Sequence, residues 1–391
     1  MKIALFTDTY IPEINGVATS TKTLKDVFER NGHEVLVVCT NTKNNALIYE
    51  NNEVRVPGLE VKAIYGYRLV SPINSKTFKI IKNYKPDVIH VQTDFGVAYI
   101  GRFAAKKLHI PIVYTYHTMY EDYTYYVTKG RFERIAVQGL RWYARKVINY
   151  STEFIAPSNK TKDYMRTIGV ESYINVIPTG IDFSRFSLEA VGEENILNKK
   201  KELGIENKDL IFISLGRIAK EKSIDIVIKS YYEFKIKHPE INSCLLIVGL
   251  GPAVPELMEL ALSLGIDKEV LFLGKVAPEE TPLYYRLGDI FVSASISETQ
   301  GLTFMEAMAS ELITLARFDN NLLDVIKDEK TGYFFNDPNH FVTIIEKIMK
   351  LSDEERKKIV KNALNQIDNY SDKRFYERIK KVYETAIRKN Y

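Results

Sequence analysis

Two carboxylates, Glu298 and Glu306, flank the short turn Thr299-Gln300-Gly301-Leu302-Thr303. Ahead of the turn, Asp289-Ile290-Phe291-Val292-Ser293-Ala294 is an apolar run that reads as a buried strand. Behind it, Phe304-Met305-Glu306-Ala307-Met308-Ala309 consists, Phe304 aside, of good helix formers. A strand, a polar turn with a glycine and a helix aim unpaired N–H groups and a positive dipole end at one point. An anion is stabilised there, phosphate above all. Carboxylates beside such a point accept hydrogen bonds and suit the hydroxyls of a sugar. The same residues also describe an ordinary helix start with acids near its positive end. Their partners along the chain must decide between the two.

Other residues with chemistry to offer sit at similar places. Arg217 and Lys222 follow the apolar run Leu210-Ile211-Phe212-Ile213-Ser214-Leu215-Gly216 and precede a helical stretch from Ile224 to Phe234. Both reach phosphate oxygens readily, Arg as a fork and Lys as a point charge, although most such side chains are simply solvated. Gly249-Leu250-Gly251-Pro252 opens like a dinucleotide fingerprint but lacks the third glycine, and Pro252 and Pro255 crowd the helix start. His117 ends the strand-like Ile110-Pro111-Ile112-Val113-Tyr114-Thr115-Tyr116. The C-terminal ends of parallel strands are where α/β proteins bind ligands; the alternative is a histidine satisfied within its loop. Gly16 lies in a long turn, Asp8 to Thr19, where a ligand can approach the backbone or where a turn simply needs a glycine.

These positions are set by alternating strands and helices. Ile3 to Phe6, Val35 to Cys39, Asp87 to Val91, the stretch before His117 and Phe154 to Ser158 read as strands of one parallel sheet, with a helix expected over Thr21–Arg30 and another over Gly101–Leu108. The alternation restarts at Leu210 and runs through Leu245–Val248, Val270–Gly274 and Ile313–Ala316 to a charged helical tail from Asp353 to Asn390. With 391 residues the chain exceeds one ordinary core, and the break falls between about residues 178 and 200. The expected class is α/β, with a doubly wound sheet in each half. Cys39 and Cys244 lie in apolar strands and read as buried, reduced core residues. No apolar run approaches the ~20 residues of a membrane span, and the N-terminal one is too short for a signal peptide. The expected place is therefore the cytoplasm.

Charge is uneven. Residues 1–185 hold 25 Lys and Arg against 17 Asp and Glu, a net +8; the remainder carries −4. Two segments explain this. Val61 to Lys85 has Lys62, Arg68, Lys76, Lys79, Lys82 and Lys85 and no acid; Lys129 to Tyr150 has six basic residues against Glu133 alone. Aromatic and aliphatic residues are interleaved in both. Such stretches suit an anionic membrane surface, or are basic helix faces over a core stripe. Nucleic acid is the other polyanion, but no recognition motif for it occurs.

Taken in order, a glycine loop after the first strand, His117, Gly216-Arg217…Lys222, Gly249-x-Gly251-Pro252 and Glu298-x7-Glu306 resemble the retaining glycosyltransferases of family GT4 over nearly the whole chain. Thr115-Tyr116-His117-Thr118-Met119-Tyr120-Glu121-Asp122-Tyr123 and Glu298-Thr299-Gln300-Gly301-Leu302-Thr303 resemble the family's bacterial diacylglycerol glucosyltransferases. The resemblance implies a GT-B fold, two Rossmann-like domains facing a central cleft. Residues 1–185 would face acceptor and membrane and 186–370 would bind the donor. A helix in 371–391 would return to the first domain. By this likeness Glu306 holds the ribose, while Arg217, Lys222 and the N–H groups near Leu302 and Thr303 meet the diphosphate. Glu298 and the Gly301 backbone hold the donor sugar, and His117 touches it near the reacting carbon. Gly16 approaches the diphosphate, and Val276 lies by the base. Lys76, Lys79, Lys82, Tyr120, Tyr123, Arg131, Arg134 and Trp142 are the residues assigned to acceptor and membrane.

The implied reaction moves glucose from UDP-glucose to diacylglycerol on the inner face of the cell membrane. Departure of a nucleoside diphosphate builds negative charge, which fixed cations and helix-end N–H groups stabilise without reorganising. No cofactor and no metal at the diphosphate are expected, and no nucleic acid partner. Nothing in the sequence sets the oligomeric state. Another GT4 acceptor (polyprenyl-linked, capsular or cell-wall sugar), or UDP-galactose or UDP-N-acetylglucosamine as donor, keeps the same chemistry. A non-catalytic nucleotide-sugar-binding module would be expected to lack some of Arg217, Lys222, Glu298 and Glu306. A dinucleotide oxidoreductase lacks its fingerprint. Two positions depart from the family pattern: Leu250, where Asp is frequent, and Glu311, where Gly is common.

Overall fold

The computed structural model describes residues 1–13, 15–42, 45–61, 67–71, 74–94, 96–117, 133–295 and 301–390. The chain divides into two compact units, Met1–Ile181 with Tyr370–Tyr391, and Asp182–Asn369.

The first unit is built on strands β1 (Lys2–Thr7), β2 (Glu34–Asn41), β3 (Ile48–Glu50), β4 (Glu53–Val61), β5 (Tyr67–Val70), β6 (Val88–Val91), β7 (Ile112–Thr115), β8 (Glu153–Ala156) and β9 (Asn175–Val176). Among the described residues they lie in the order β3-β4-β2-β1-β6-β7-β8-β9, with β5 antiparallel on β4. Strand β1 pairs in parallel with β2 on one side and β6 on the other, so the winding reverses between β1 and β6. The central strands β1, β2, β6, β7 and β8 are buried on both faces, as Val-, Ile- and Leu-rich parallel strands must be. One face is covered by Gly16–Arg30 and the C-terminal helix Asp372–Lys389, whose Phe375, Ile379, Val382 and Tyr383 pack with Leu24, Phe28 and Val113. On the other face the apolar sides of Ser75–Tyr84, Val97–Leu108 and Glu133–Asn149 share a core with Phe6, Val38 and Val91. Each fully buried Val, Ile or Phe contributes roughly 1.5–3 kcal/mol, so the long C-terminal helix is firmly tied to this sheet.

The second unit holds β10 (Leu210–Leu215), β11 (Ser243–Val248), β12 (Val270–Gly274), β13 (Ile290–Ser293), β14 (Ile313–Arg317) and β15 (Tyr333–Phe335), all parallel, in the order β12-β11-β10-β13-β14-β15. Its winding reverses between β10 and β13. Ligands of doubly wound sheets bind beyond the strands' C-terminal ends at such a reversal.

Local structure departs from the sequence reading in several places: the helix expected from Gly101 begins at Val97, and the tail from Asp353 is two helices, Asp353–Ile367 and Asp372–Lys389. The first helix starts at Gly16 rather than Thr21, because Asn15 caps it by accepting from the Ala18 N–H at 2.9 Å. Within the basic stretch from Val61, Tyr67–Val70 pairs antiparallel with β4 and Ser75–Tyr84 is helical. Pro338–Met349 is a further helix, capped by Asp337 and opened by Pro338.

Candidate active site

In the second unit the loop after β10 carries Arg217, which is exposed, and Lys222, which is half-buried. Lys222 Nζ lies 3.5 Å from Ser295 Oγ, just past β13, so it bridges the two strands between which the winding reverses. Among the described residues no group accepts from the Arg217 guanidinium. The two loops behind these cations are pressed together backbone to backbone. Ile218 N donates to Leu250 O at 3.1 Å and Gly216 N to Val248 O at 3.0 Å. A Cβ on Gly249 would lie 1.8 Å from Gly216 O, and one on Gly251 1.9 Å from Ile218 O. The Gly-x-Gly of this loop is thus a packing requirement of two neighbouring turns. Leu250 between them is 61% exposed.

The helix Leu302–Ala309 begins one residue past Gly301, whose φ of 66° and ψ of 38° place it in the left-handed region that glycine adopts freely. No described residue accepts from the N–H groups of Leu302 and Thr303, which face the helix's positive end. One turn in, Glu306 is partly buried, its side chain 21% exposed. Tyr285 Oη donates to its Oε2 at 3.0 Å, and Arg185 Nη2 stands 3.7 Å from its Oε1. Burial raises the Glu306 pKa above the ordinary carboxylate value; the Tyr285 hydrogen bond and the Arg185 charge oppose it. Arg185 lies over the Phe186 ring, 4.7 Å from its centroid, and donates Nη1 to Pro278 O at 3.4 Å. Val276 stands two residues before Pro278, past the end of β12. The second unit therefore gathers Arg217, Lys222, Val276, Gly301, Leu302, Thr303 and Glu306 at the C-terminal ends of its strands. Arg185, Tyr285 and Ser295 join them unforeseen; no spacing rule links them to Glu306 or Lys222. Glu298 lies outside the described residues.

At the far end of the same helix the Glu311 departure becomes legible. Glu311 has φ 62°, the left-handed position after a helix that glycine usually takes. Its carboxylate pairs with Arg286 Nη2 at 3.0 Å, and Arg286 Nε donates to Phe186 O at 2.8 Å.

In the first unit His117 stands two residues past β7, half-buried. Its Nε2 is 2.7 Å from Gln92 Oε1, and Gln92 follows β6 at the reversal of the winding. Burial lowers the His117 pKa to about 4, so the ring is neutral. Behind it His90 bonds Tyr383 Oη and Thr115 Oγ1, each at 2.7 Å, and burial takes its pKa to about 3. Gly16 is the first residue of its helix, and a Cβ there would meet nothing within 4 Å. Packing alone does not ask for glycine at that position.

Lys76, Lys79 and Lys82 are exposed along Ser75–Tyr84. That helix meets Val97–Leu108 through Phe78 and Phe103, rings 5.6 Å apart. Tyr99, Phe103, Lys106 and Lys107 extend the exposed basic and aromatic face. Trp142 on Glu133–Asn149 is 56% exposed, with Lys146 Nζ 4.9 Å from its ring centre. Tyr99 lies 6.5 Å from Tyr143, joining this helix to the others. Tyr120, Tyr123 and Arg131 lie outside the described residues, as does the side chain of Arg134. Among the described residues no helix is long and apolar enough to cross a membrane.

Comparison with known proteins gives this geometry a context. The Glycosyltransferase Family 4 profile matches residues 14–185, and the Glycosyl transferases group 1 profile matches residues 195–366. The chain is 33% identical over 390 residues to the alpha-monoglucosyldiacylglycerol synthase of Streptococcus pneumoniae, covering 100% of this chain and 87% of that one. It is 37% identical over 342 residues to the protein of the same name from Acholeplasma laidlawii, covering 86% and 85%. The solved structure of Anabaena HepE in complex with UDP superposes with a TM-score of 0.71 at 16% identity, over 98% of this chain and 100% of that one. A glycosyltransferase from Rickettsia africae gives 0.72 at 17%, over 99% and 98%. Two profiles that divide the chain between them, and identity above 30% along its full length, make this protein a glycosyltransferase of family GT4 with the GT-B fold.

Proposed function

We propose that this protein transfers a glucosyl unit from UDP-glucose to diacylglycerol at an anionic membrane surface, with retention at the anomeric carbon. The observation that carries the reading is the 33% identity over 390 residues with a protein named alpha-monoglucosyldiacylglycerol synthase. The exposed Lys, Arg and aromatic face of the first unit supports the membrane, since each nearby Lys or Arg adds on the order of 1 kcal/mol of attraction to anionic lipid. Its position fits a peripheral enzyme on the inner face of the cell membrane.

In this reading Glu306 accepts from the ribose hydroxyls, with Tyr285 already holding one carboxylate oxygen. Val276 borders the base. Arg217, Lys222 and the Leu302 and Thr303 N–H groups receive the diphosphate, and Gly16 leaves room beside it. Glu298 and the Gly301 backbone hold the sugar, and His117 offers it a neutral ring. The bond from the anomeric carbon to the β-phosphate oxygen breaks as charge grows on that oxygen. Arg217, Lys222 and the helix end stabilise this charge, each such group contributing on the order of 3–4 kcal/mol to lowering the barrier. The acceptor hydroxyl adds on the face the diphosphate leaves, and its proton passes to the departing phosphate. No carboxylate nucleophile is assigned. The charge is met by protein groups, so turnover is expected to survive EDTA.

The test is incubation with UDP-glucose and dioleoylglycerol in vesicles of phosphatidylglycerol and phosphatidylcholine. An α-glucosyl diacylglycerol product is expected. Turnover of UDP-glucose only with a soluble or polyprenyl-linked sugar acceptor would overturn the lipid acceptor, and turnover only with UDP-galactose or UDP-N-acetylglucosamine would overturn the donor.

A further inference from the structure

Among the described residues, the buried Gln92 is the side chain that hydrogen-bonds His117. It is 2% exposed, its backbone N–H donates to Phe6 O at 2.8 Å, and it sits where the winding of the first sheet reverses. Its backbone is therefore held as a continuation of β6. With the amide oxygen assigned to the side facing the ring, the 2.7 Å contact with His117 Nε2 places the hydrogen on that nitrogen, since an amide oxygen only accepts. A neutral imidazole with Nε2–H has a bare lone pair on Nδ1, and no described residue donates to it. The other side of the amide faces inward. Gln92 Nε2 is buried without a partner among the described residues, and Gln92 lines a cavity of about 10 Å³ together with His117, His90, Thr115, Ser20 and Thr179. That volume is about one water probe, and a water there would satisfy the amide. His90, the titratable group that shares this lining, is bonded on both nitrogens and stays neutral.

We propose that Gln92 is the positioning residue for His117: it fixes the Nε2–H tautomer and turns the ring so that Nδ1 accepts a hydrogen bond from a substrate hydroxyl. This rests on the placement of His117 at the donor sugar proposed above. It makes His117 an acceptor at neutral pH, neither a cation beside the phosphates nor a proton donor. A displaced ring costs reaction geometry rather than nucleotide binding, and a misplacement of about 1 Å is worth roughly a hundredfold in rate.

The tautomer is read directly from long-range ¹H–¹⁵N spectra of the whole enzyme labelled at histidine, with H117N identifying the signals. Nε2–H is expected for His117; Nδ1–H overturns the assignment to Gln92. Kinetics supply a second reading. Q92L should lower kcat by one to two orders of magnitude while leaving the affinity for UDP within twofold. In Q92E the new carboxylate stabilises the imidazolium. Turnover should then fall on the acid side of about pH 6–7, near the ordinary histidine range, where the wild type shows no such limb. Equal losses in both variants without a new limb would reduce Gln92 to a packing role and overturn the proposal. Nε2–H together with unimpaired turnover in H117A would instead overturn the contact of His117 with the sugar, and the catalytic half of this proposal with it.

Discussion

The Tyr285 hydroxyl donates to Glu306 Oε2 across 3.0 Å, and this single bond sets what the carboxylate can do. Burial pushes the Glu306 pKa up, while Tyr285 and then Arg185 push it down. A carboxylate that is to accept from two ribose hydroxyls must be ionised. Tyr285→Phe removes a hydrogen bond to a charged group, worth about 1.5–3 kcal/mol. UDP affinity, measured by calorimetry, should fall about tenfold to a hundredfold. The acid side of its pH profile should move upward, because the group opposing protonation is gone. Unchanged affinity at every pH would place the ribose elsewhere.

A buried acid whose folded pKa lies above its unfolded value binds more protons when folded. Stability is therefore lost as pH rises through that range. The empty protein at neutral pH thus carries a cost at Glu306 that a ligand repays. Glu306→Gln should raise the melting temperature of the ligand-free protein while weakening UDP binding. Glu306→Ala should hurt UDP affinity more than turnover at saturation, and Glu298→Ala the reverse.

The paired glycine loops give a prediction about packing. In Gly251→Ala the new methyl would meet the Ile218 backbone oxygen at 1.9 Å, and neither partner is a flexible side chain. The cost should reach about 3 kcal/mol or more, read as loss of the second unit's urea transition. Leu250→Asp, one residue away at an exposed position, should leave that transition within about 0.5 kcal/mol.

What could be read in the sequence follows from which forces are local. The strands were legible because Leu5, Val37, Ile89 or Leu246 sit in apolar runs that only a buried sheet accepts. Strand ends then led to Arg217, Lys222 and the Gly301 turn, since topology places ligands there. Tyr285, Arg185 and Gln92 were not legible, because each reaches its partner only through the tertiary fold. Tyr285 meets Glu306 across 21 positions, and Gln92 meets His117 across 25. Gln92 had a faint signal in its place after His90-Val91 at a strand end. The early start of the first helix hung on Asn15, a cap whose hydrogen bond a periodicity argument ignores.

The basic face makes a prediction about membranes. Reversing Lys76, Lys79 and Lys82 to Glu should remove binding to phosphatidylglycerol vesicles in a sedimentation assay, as each lost cation costs about 1 kcal/mol. Trp142→Ala should weaken binding in a way that salt does not mimic, since the ring's contribution is apolar. Half-molar salt should release the wild type. UDP affinity of the variants at constant low salt should stay unchanged, which separates lost docking from lost folding. Retained vesicle binding in the triple variant would move the membrane contact away from these helices.

His90 and His117 tie the first unit's stability to pH. Burial holds their pKa values near 3 and 4, against about 6.5 in an unfolded chain. The folded forms are neutral where the unfolded chain takes up protons. Stability is therefore full above about pH 6.5 and is lost as pH falls toward the folded values. Two such groups give a slope approaching about 2.7 kcal/mol per pH unit near pH 5. The transition followed should be that of the first unit, which the Tyr383–His90 bond ties to the C-terminal helix. Tyr383→Phe leaves His90 short of a partner and should cost about 1–3 kcal/mol. It should also shift the acid transition upward, because the first unit then has less stability to lose as the unfolded chain takes up protons. A transition independent of pH between 4 and 6.5 would show that neither histidine is held neutral by the fold.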